Sequence, residues 1–236
     1  MKSLKLYLLC LLAAATLLSA ADPLTGFPFQ NETLRYNVNW PSGLSLGDAT
    51  FTAHKADAGG WTFDVAFNIG VPGFPLADKY KSTITADYCS TELTRDITHG
   101  SKKVTEKTTF DQKAGRANRQ TMFPLGGGKT ELEFTGCGRD ALAFEYFARK
   151  ELGQGRVPPA GKVFFGGGYQ VTMAYTGAQN ITVAEKQTVT DHLNVTVKGP
   201  SSNISFEVFY ARDAARTPLL VKIPVAIGTI SLELVR

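Results

Sequence analysis

The sequence predicts an all-β, mostly antiparallel protein, built as a strongly curved sheet or open barrel with one packed helix near residues 140–152. Three observations lead to this class. Apolar and polar side chains alternate along many segments, turn-forming residues separate these segments, and one later segment has helical spacing. Because alternation leaves each strand with one polar face, the pattern is typical of antiparallel sheets and not of doubly wound folds.

The first 21 residues have the pattern of an export signal. Two lysines precede an apolar stretch at 6–18, and the small residues from Ser19 to Ala21 suit a signal peptidase. The apolar stretch is shorter than the roughly 20 residues that a membrane-spanning helix needs. We therefore expect cleavage after Ala21, a single domain at 22–236, and no transmembrane span after cleavage.

Composition and charge exclude several classes of protein. The chain has 236 residues, of which 43% are hydrophobic, so wholesale disorder is excluded. Its formal net charge is +4, and removal of the leader, which carries two lysines and no acid, lowers the charge to +2. No run of lysine and arginine forms a patch that could follow a phosphate backbone. Nucleic acid is therefore not an expected partner.

Two cysteines remain outside the leader, Cys89 and Cys137. An even count in an oxidising, exported compartment predicts one disulfide bond. It would close a loop of roughly 48 residues, which corresponds to a stabilisation of about 4 kcal/mol from loop-closure entropy. Two separate buried thiols are the alternative, because a sequence cannot show that the Cα atoms approach within about 7 Å.

The alternating segments predict the strands in order along the chain. In the first, at 33–40, the apolar positions are Leu34, Tyr36, Val38 and Trp40. Further segments of this kind are 61–69, 169–176, 193–198, 206–210 and 230–234. Turn-forming sequences such as Pro41-Ser42-Gly43 lie between them, so we expect short strands joined by hairpins.

Residues 140–152 break the alternation. Asp140 is a candidate N-cap, and the apolar residues that follow recur at three-to-four spacing. Gly153, Gly155 and Pro158-Pro159 then end the pattern. The segment therefore predicts one helix, packed against the sheet or inside the mouth of a barrel.

A curved sheet of this composition has an aromatic-rich concave face, which either is a solid core or lines an apolar cavity. The candidate contacts of a hydrophobic ligand are Tyr36, Trp40, Phe63, Phe67, Phe74, Tyr169 and Tyr175. The segment from Pro72 to Leu76 predicts a rigid turn that presents apolar side chains. That turn would be a lid over a cavity or a plug at the end of the barrel.

Two segments resemble catalytic or phosphate-binding motifs. Residues 43–47 match G-x-S-x-G with Ser45 as nucleophile, but the residues that follow alternate as a strand where a hydrolase needs a helix. Residues 126–130 end like a phosphate-binding loop, but Phe123 replaces the first glycine and a strand pattern follows. Both segments are better explained as hairpin turns.

The histidines do not form a local metal-binding pattern. His54, His99 and His192 lie far apart in the sequence, so none of the short zinc motifs is present. We therefore expect no metal, no cofactor and no catalytic residues. A hydrolase dependent on Ser45 is the third functional hypothesis, after the two given below.

Five parts of the sequence, spread along most of the chain, are informative when taken together: 32–40 with 47–49, 109–111, 140–149, 213–218 and 228–234. Together they resemble an exported bacterial family known as domain of unknown function 3108. The resemblance implies a periplasmic or outer-envelope β protein, similar in architecture to open-barrel envelope proteins that include lipid and lipoprotein carriers. It carries over no catalytic residues.

These observations lead to two non-enzymatic hypotheses. In the first, an exported protein of the bacterial envelope binds a lipid or another hydrophobic small molecule on its concave apolar face. In the second, the interior is filled and the protein has a structural role or binds a protein partner in the envelope. The sequence leaves both open.

Overall fold

The computed structural model describes residues 31–57, 59–71, 74–200, 203–226 and 228–235. The predicted leader at 1–21, the side chain of Phe74, and Pro72 and Gly73, which begin the predicted turn, lie outside this part of the chain. The rest of that predicted turn, residues 74–76, begins a strand. No helix in the described part is long and apolar enough to cross a membrane.

The strands of the described residues form one sheet. They are β1 (Asn31–Asn39), β2 (Ser45–Lys55), β3 (Trp61–Val71), β4 (Phe74–Ile84), β5 (Ser90–His99), β6 (Lys102–Asp111), β7 (Arg116–Phe123), β8 (Lys129–Glu133), β9 (Arg139–Asp140), β10 (Gly161–Phe164), β11 (Gly168–Val183), β12 (Lys186–Lys198), β13 (Asn203–Ala211), β14 (Pro218–Val225) and β15 (Gly228–Val235). The helix α1 spans Ala141–Gly153.

The sheet is open. Its order is β8-β7-β6-β5-β4-β3-β2-β1-β15-β14-β13-β12-β11-β10-β9, so β8 and β9 end it and do not pair with each other. Each pair in the sheet is antiparallel except β9 with β10. The predicted curved, open β architecture with one helix is confirmed.

Alternation along the sequence becomes alternation of burial in the strands. In β1, Tyr36 and Val38 are buried, whereas Arg35 and Asn37 are exposed. The six segments predicted as strands lie in β1, β3, β11, β12, β13 and β15, with Trp40 following directly after β1. The turn predicted at Pro41-Ser42-Gly43 is confirmed as well, because residues 40–44 join β1 to β2.

Asp140 caps α1 and ties it to the sheet. Its Oδ1 accepts hydrogen bonds from the backbone N–H groups of Leu142 (2.9 Å) and Ala143 (3.0 Å). Its Oδ2 accepts from the hydroxyls of Ser82 on β4 and Ser90 on β5, both at 2.6 Å. Burial raises the pKa of Asp140, and these hydrogen bonds oppose that effect. The predicted helix and its cap are confirmed.

The helix packs on the inner face of the curved sheet. The ring of Tyr146 stacks on Phe63 of β3, with the centroids 3.9 Å apart. Phe144 belongs to a buried cluster with Val195 of β12 and Val208 of β13. Since β3 and β12 lie in opposite halves of the sheet order, the sheet curves around α1 and the side chains of the helix fill that part of the interior.

The predicted disulfide is present. Cys89, in the turn between β4 and β5, is bonded to Cys137, just before β9, with the Cα atoms 5.2 Å apart. The bond spans 48 positions and encloses β5 to β8. It therefore fixes the chain that leads into α1 to the end of β4.

We predict that Asp140→Ala lowers the free energy of unfolding by about 2–4 kcal/mol, because α1 loses its cap and two buried serine hydroxyls lose an acceptor. Urea unfolding would measure this change. Asp111→Ala is a matched control, since the exposed carboxylate of Asp111 also accepts from two backbone N–H groups, those of Lys113 and Ala114. A loss for Asp140→Ala no larger than that of the control would contradict the assignment.

Candidate ligand-binding site

A cleft of about 820 Å³ lies where the two ends of the sheet approach each other. We call it the seam cleft. Its lining comes from the turn before β7, the end of β8, β9, α1 and the start of β10: Ala114, Gly115, Arg116, Glu133, Phe134, Thr135, Cys137, Arg139, Phe144, Phe147, Pro159, Ala160, Gly161, Lys162 and Gln170. Its volume falls within the range of small-molecule sites, about 300–1,000 Å³.

The cleft exists because the chain leaves the sheet after β8. The carbonyl of Gly138 accepts hydrogen bonds from the Ser90 backbone N–H (2.9 Å) and the Gln112 side chain (3.0 Å). The disulfide holds the neighbouring Cys137 to the same region. The chain after β8 therefore pairs with β5 and β10 and not with β8. Side chains of the described residues bridge the seam, such as Lys162, whose Nζ donates to the Glu133 carbonyl at 2.6 Å.

Arg139 contributes a half-buried positive charge to the cleft. Its guanidinium carbon lies 3.8 Å from the ring centroid of Phe147, and its Nε is buried without a hydrogen-bond partner. Within the described residues it forms no ion pair. Burial lowers the pKa of Arg139, an effect opposed by the charges of Glu151 and Asp87, but an arginine remains charged at neutral pH. The cleft therefore contains a positive charge that has no carboxylate within ion-pair distance among the described residues, although the charges of Glu151 and Asp87 favour it from farther away.

The rest of the lining combines positive charge with aromatic surface. Arg116 and Lys162 add two cations, against the single carboxylate of Glu133, and Arg116 lies 3.5 Å from Glu131 outside the lining. The aromatic part comes from Phe134 and two phenylalanines of α1. Such a surface suits a molecule with an anionic head and an apolar body.

None of the predicted aromatic contacts whose side chains the structure describes lines the seam cleft. Tyr36 and Phe67 both contact the Phe51 ring, at 5.3 and 5.9 Å between centroids, and Tyr146 stacks on Phe63. These three rings therefore pack against protein side chains in the interior.

The remaining predicted contacts are dispersed. Trp40 lines a surface hollow of about 470 Å³ after β1, and Tyr169 pairs with Val163 across β10 and β11. Tyr175 is 48% exposed and its hydroxyl donates to Asp191 at 3.2 Å. Alternation placed Tyr36 and Phe63 on a buried face, but Tyr175 is exposed and the alternation did not show the position of a cleft.

The two motif-like segments are turns and strands, as predicted. Ser45 begins β2, which continues to Lys55 without a helix. A Cβ atom on Gly47 would lie 2.0 Å from the carbonyl oxygen of Asn68, so the last glycine of the motif permits close approach of β2 to β3. Residues 124–128 join β7 to β8, and again a strand follows.

The histidines have separate polar partners. His54 contacts Asn31 at 3.0 Å, His99 contacts Asp78 at 3.0 Å, and His192 contacts Thr176 at 2.6 Å. Among the described residues there is no group of three or more side chains that could hold a metal ion.

A second group of charged residues lies beside α1. Arg149 donates to both carboxylate oxygens of Glu32, each at 2.7 Å, and its Nε donates to the carbonyl of Ala215 at 2.9 Å. Burial opposes the charge on Arg149, but the hydrogen bonds and charge of Glu32 outweigh it and raise the arginine pKa. We call these contacts of Arg149 with Glu32 and Ala215 the clamp. The clamp joins β1, α1 and the turn before β14, and the family resemblance includes residues from all three segments.

Glu145 belongs to the same group, and only one of its two carboxylate oxygens has a hydrogen-bond partner. Its Oε2 accepts from the Tyr210 hydroxyl at 2.9 Å, while its Oε1 is buried without a hydrogen-bond partner. Burial raises the pKa of Glu145, and the charge of Arg149 opposes this effect. The clamp and Glu145 hold the helix in the sheet; they do not line the seam cleft.

The family is decided by a sequence comparison. The profile of a family described as "Protein of unknown function (DUF3108)" matches residues 35–235, which is most of the chain. The chain belongs to the DUF3108 family. No curated protein matches this DUF3108 chain.

A solved structure shares the fold of this DUF3108 protein. It is the β-barrel-like protein of domain of unknown function DUF1849 from Brucella abortus, with a TM-score of 0.65 and 9% sequence identity. The similarity covers 88% of this chain and 97% of the other. At this identity the likeness shows the fold alone.

We predict that Glu145→Gln reduces the pH dependence of stability. Because the pKa of Glu145 is raised in the folded state, the folded chain binds more protons than the unfolded chain above the ordinary value of 4.5. The free energy of unfolding therefore falls as pH rises from 4.5 toward the raised pKa. Urea unfolding across this interval should show a smaller fall for the variant than for the wild type.

Glu131→Gln is the control for this experiment, because Glu131 is about half exposed and forms an ion pair with Arg116 on the neighbouring strand. It should retain the wild-type slope of unfolding free energy against pH. Identical slopes for wild type and Glu145→Gln would show that Glu145 does not take up a proton in this interval.

Proposed function

We propose that this protein is an exported, non-enzymatic binding protein that holds an anionic amphiphile in the seam cleft. The sequence hypothesis of a hydrophobic ligand is retained, but the site moves from the concave sheet face to the seam. Side chains of α1 and the strands fill the inner face around Phe63, whereas the seam offers open volume.

Arg139 is the observation that carries the proposal. Arg139 is half-buried and its Nε is buried without a hydrogen-bond partner, which is costly for the fold, and a bound carboxylate or phosphate would supply an acceptor. Charge-assisted hydrogen bonds between arginine and these anions are short, strong and often bidentate. The position of Arg139 against Phe147 places the anion next to apolar surface, which favours an amphiphile over a free inorganic ion.

Two separate observations support the proposed exported location. A disulfide persists in oxidising surroundings, and the structure contains the Cys89–Cys137 bond. The leader predicted at 1–21 would deliver the chain to such a compartment. Both observations support a periplasmic or otherwise exported location, where lipids and their breakdown products are available as ligands.

We predict that the purified protein binds a fluorescent fatty acid and that Arg139→Gln weakens this binding about 10- to 100-fold, the range for loss of a hydrogen bond to a charged group. A fluorescence titration would measure the dissociation constant. The uncharged alcohol of the same chain length should bind the wild type and the variant equally, since it does not need the guanidinium.

Arg212→Gln is the matched control, because Arg212 is an exposed arginine paired with Asp191 on another part of the sheet. It should bind the fatty acid as the wild type does. Mass spectrometry of organic extracts from the purified protein provides an independent readout. Absence of both a co-purifying amphiphile and fatty-acid uptake would overturn the proposal.

The filled interior also favours a second candidate, a structural or interaction protein of the envelope. The helix and its surrounding rings leave the inner face around Phe63 occupied, which is the arrangement expected of a packed scaffold. Native pull-down from crosslinked envelopes would test this candidate. Recovery of one stoichiometric protein partner, with no amphiphile bound, would favour it over the ligand-binding function.

A further inference from the structure

The hairpin between β7 and β8 has an exposed apolar tip. Met122 is 47% exposed, Phe123 51% and Leu125 93%. Two backbone hydrogen bonds close the turn at this tip. The Gly127 N–H donates to the Pro124 carbonyl at 3.3 Å, and the Thr121 N–H donates to the Gly128 carbonyl at 3.1 Å. Three large apolar side chains within four positions form an exposed patch and not the scattered exposure that is normal for a protein surface.

Lysines surround this tip. Lys102 and Lys103 begin β6, whose Thr105 pairs with Phe123, and Lys129 begins β8. All three lysines are exposed. In the part of the chain that the structure describes, none of them forms an ion pair.

The nearest carboxylates on β6 and β8 are already paired. Glu106 lies opposite Thr121 and binds Arg95 at 2.8 Å. Glu131, two positions after Lys129, lies 3.5 Å from Arg116. The tip therefore presents apolar side chains within a ring of positive charge.

The tip and the seam cleft lie at opposite ends of the strands. Successive antiparallel strands place alternate turns at the same end, so the β7–β8 turn shares its end with the β1–β2 and β5–β6 turns. The cleft is lined by residues 114–116 of the β6–β7 turn, at the other end. A surface that contacts the tip leaves the cleft open.

We propose that the β7–β8 tip docks the protein on an anionic lipid surface, with Phe123 and Leu125 entering the acyl boundary and the three lysines contacting head groups. Apolar side chains next to basic residues are the combination that binds interfaces of anionic membranes. A stable protein partner would need an interface of roughly 1,000 Å² or more, which a tip of a few residues does not provide. This inference goes beyond the proposed ligand binding and does not depend on it.

Vesicle co-sedimentation tests the proposal. The exported protein should bind vesicles of phosphatidylglycerol and phosphatidylcholine more tightly than vesicles of phosphatidylcholine alone, and high salt should weaken the binding. Leu125→Ser should reduce binding about tenfold or more, and each of Lys102→Gln and Lys129→Gln about fivefold. All variants are compared in the same N-terminal form, so any contribution of residues 1–30 is common to them.

Val189→Ser is the matched control. Val189 is also 47% exposed, but it lies on β12 near the β11–β12 turn, at the opposite end of the strands. This variant should bind vesicles as the wild type does. Equal binding by Leu125→Ser and Val189→Ser, or no binding to vesicles of either composition, would overturn the proposal.

A depth measurement gives a second readout that does not depend on a loss of binding. The fluorescence of Leu125→Trp should be quenched by lipids brominated in the acyl chain, whereas Val189→Trp should not add quenching to that of the wild type. Equal quenching of the two variants would show that the tip does not enter the lipid and would overturn the proposal.

Discussion

A helix can lie inside a curved sheet only if its free polar groups find partners there. The first turn of α1 has backbone N–H groups without intrahelical acceptors, and these are removed from water. Asp140 supplies acceptors to two of them and is itself held by Ser82 and Ser90, so the helix starts at a fixed point on β4 and β5. Arg149 fixes the later turns through Glu32 and Ala215. The curvature of the sheet depends on these two attachments, because they place α1 where both halves of the sheet can pack on it.

The open seam is a consequence of the same attachments. To bring Asp140 to Ser90, the chain must turn away from β8, and Gly138 then hydrogen-bonds to β5 instead of continuing the sheet. The end of β8 is thereby left beside β10 with a side-chain bridge in place of a strand ladder. The chain after β8 can either pair with β8 and close the barrel or turn away and cap the buried helix. In this structure it caps the helix.

Local patterns predicted the fold well because strands and helix caps depend on neighbouring residues. The alternation around Tyr36, the cap at Asp140 and the turn at Pro41-Ser42-Gly43 were all visible in the sequence. The candidate site was not, because alternation identifies a buried face without showing what covers it. Phe63 has the pattern of a ligand contact, but Tyr146 stacks on it. The role of Arg139 is not visible in the sequence, because its lack of an ion pair depends on the spatial arrangement of β8, β9 and α1.

Among the described arginines that are not exposed, Arg139 differs in having no ion pair, whereas a buried Nε without a partner is also found in Arg95 and Arg119. Arg149 has a bidentate carboxylate, and Arg95 has Glu106 at 2.8 Å. In both cases the chain supplies an anion where the fold removes a guanidinium from water, as the cost of burying a charge requires. Arg139 has an aromatic ring on one side and the cleft on the other. If the seam were only a defect of barrel closure, an uncharged side chain at 139 would stabilise the fold more than an arginine does. A cation in this position is physically consistent with a site whose anion comes from outside the chain.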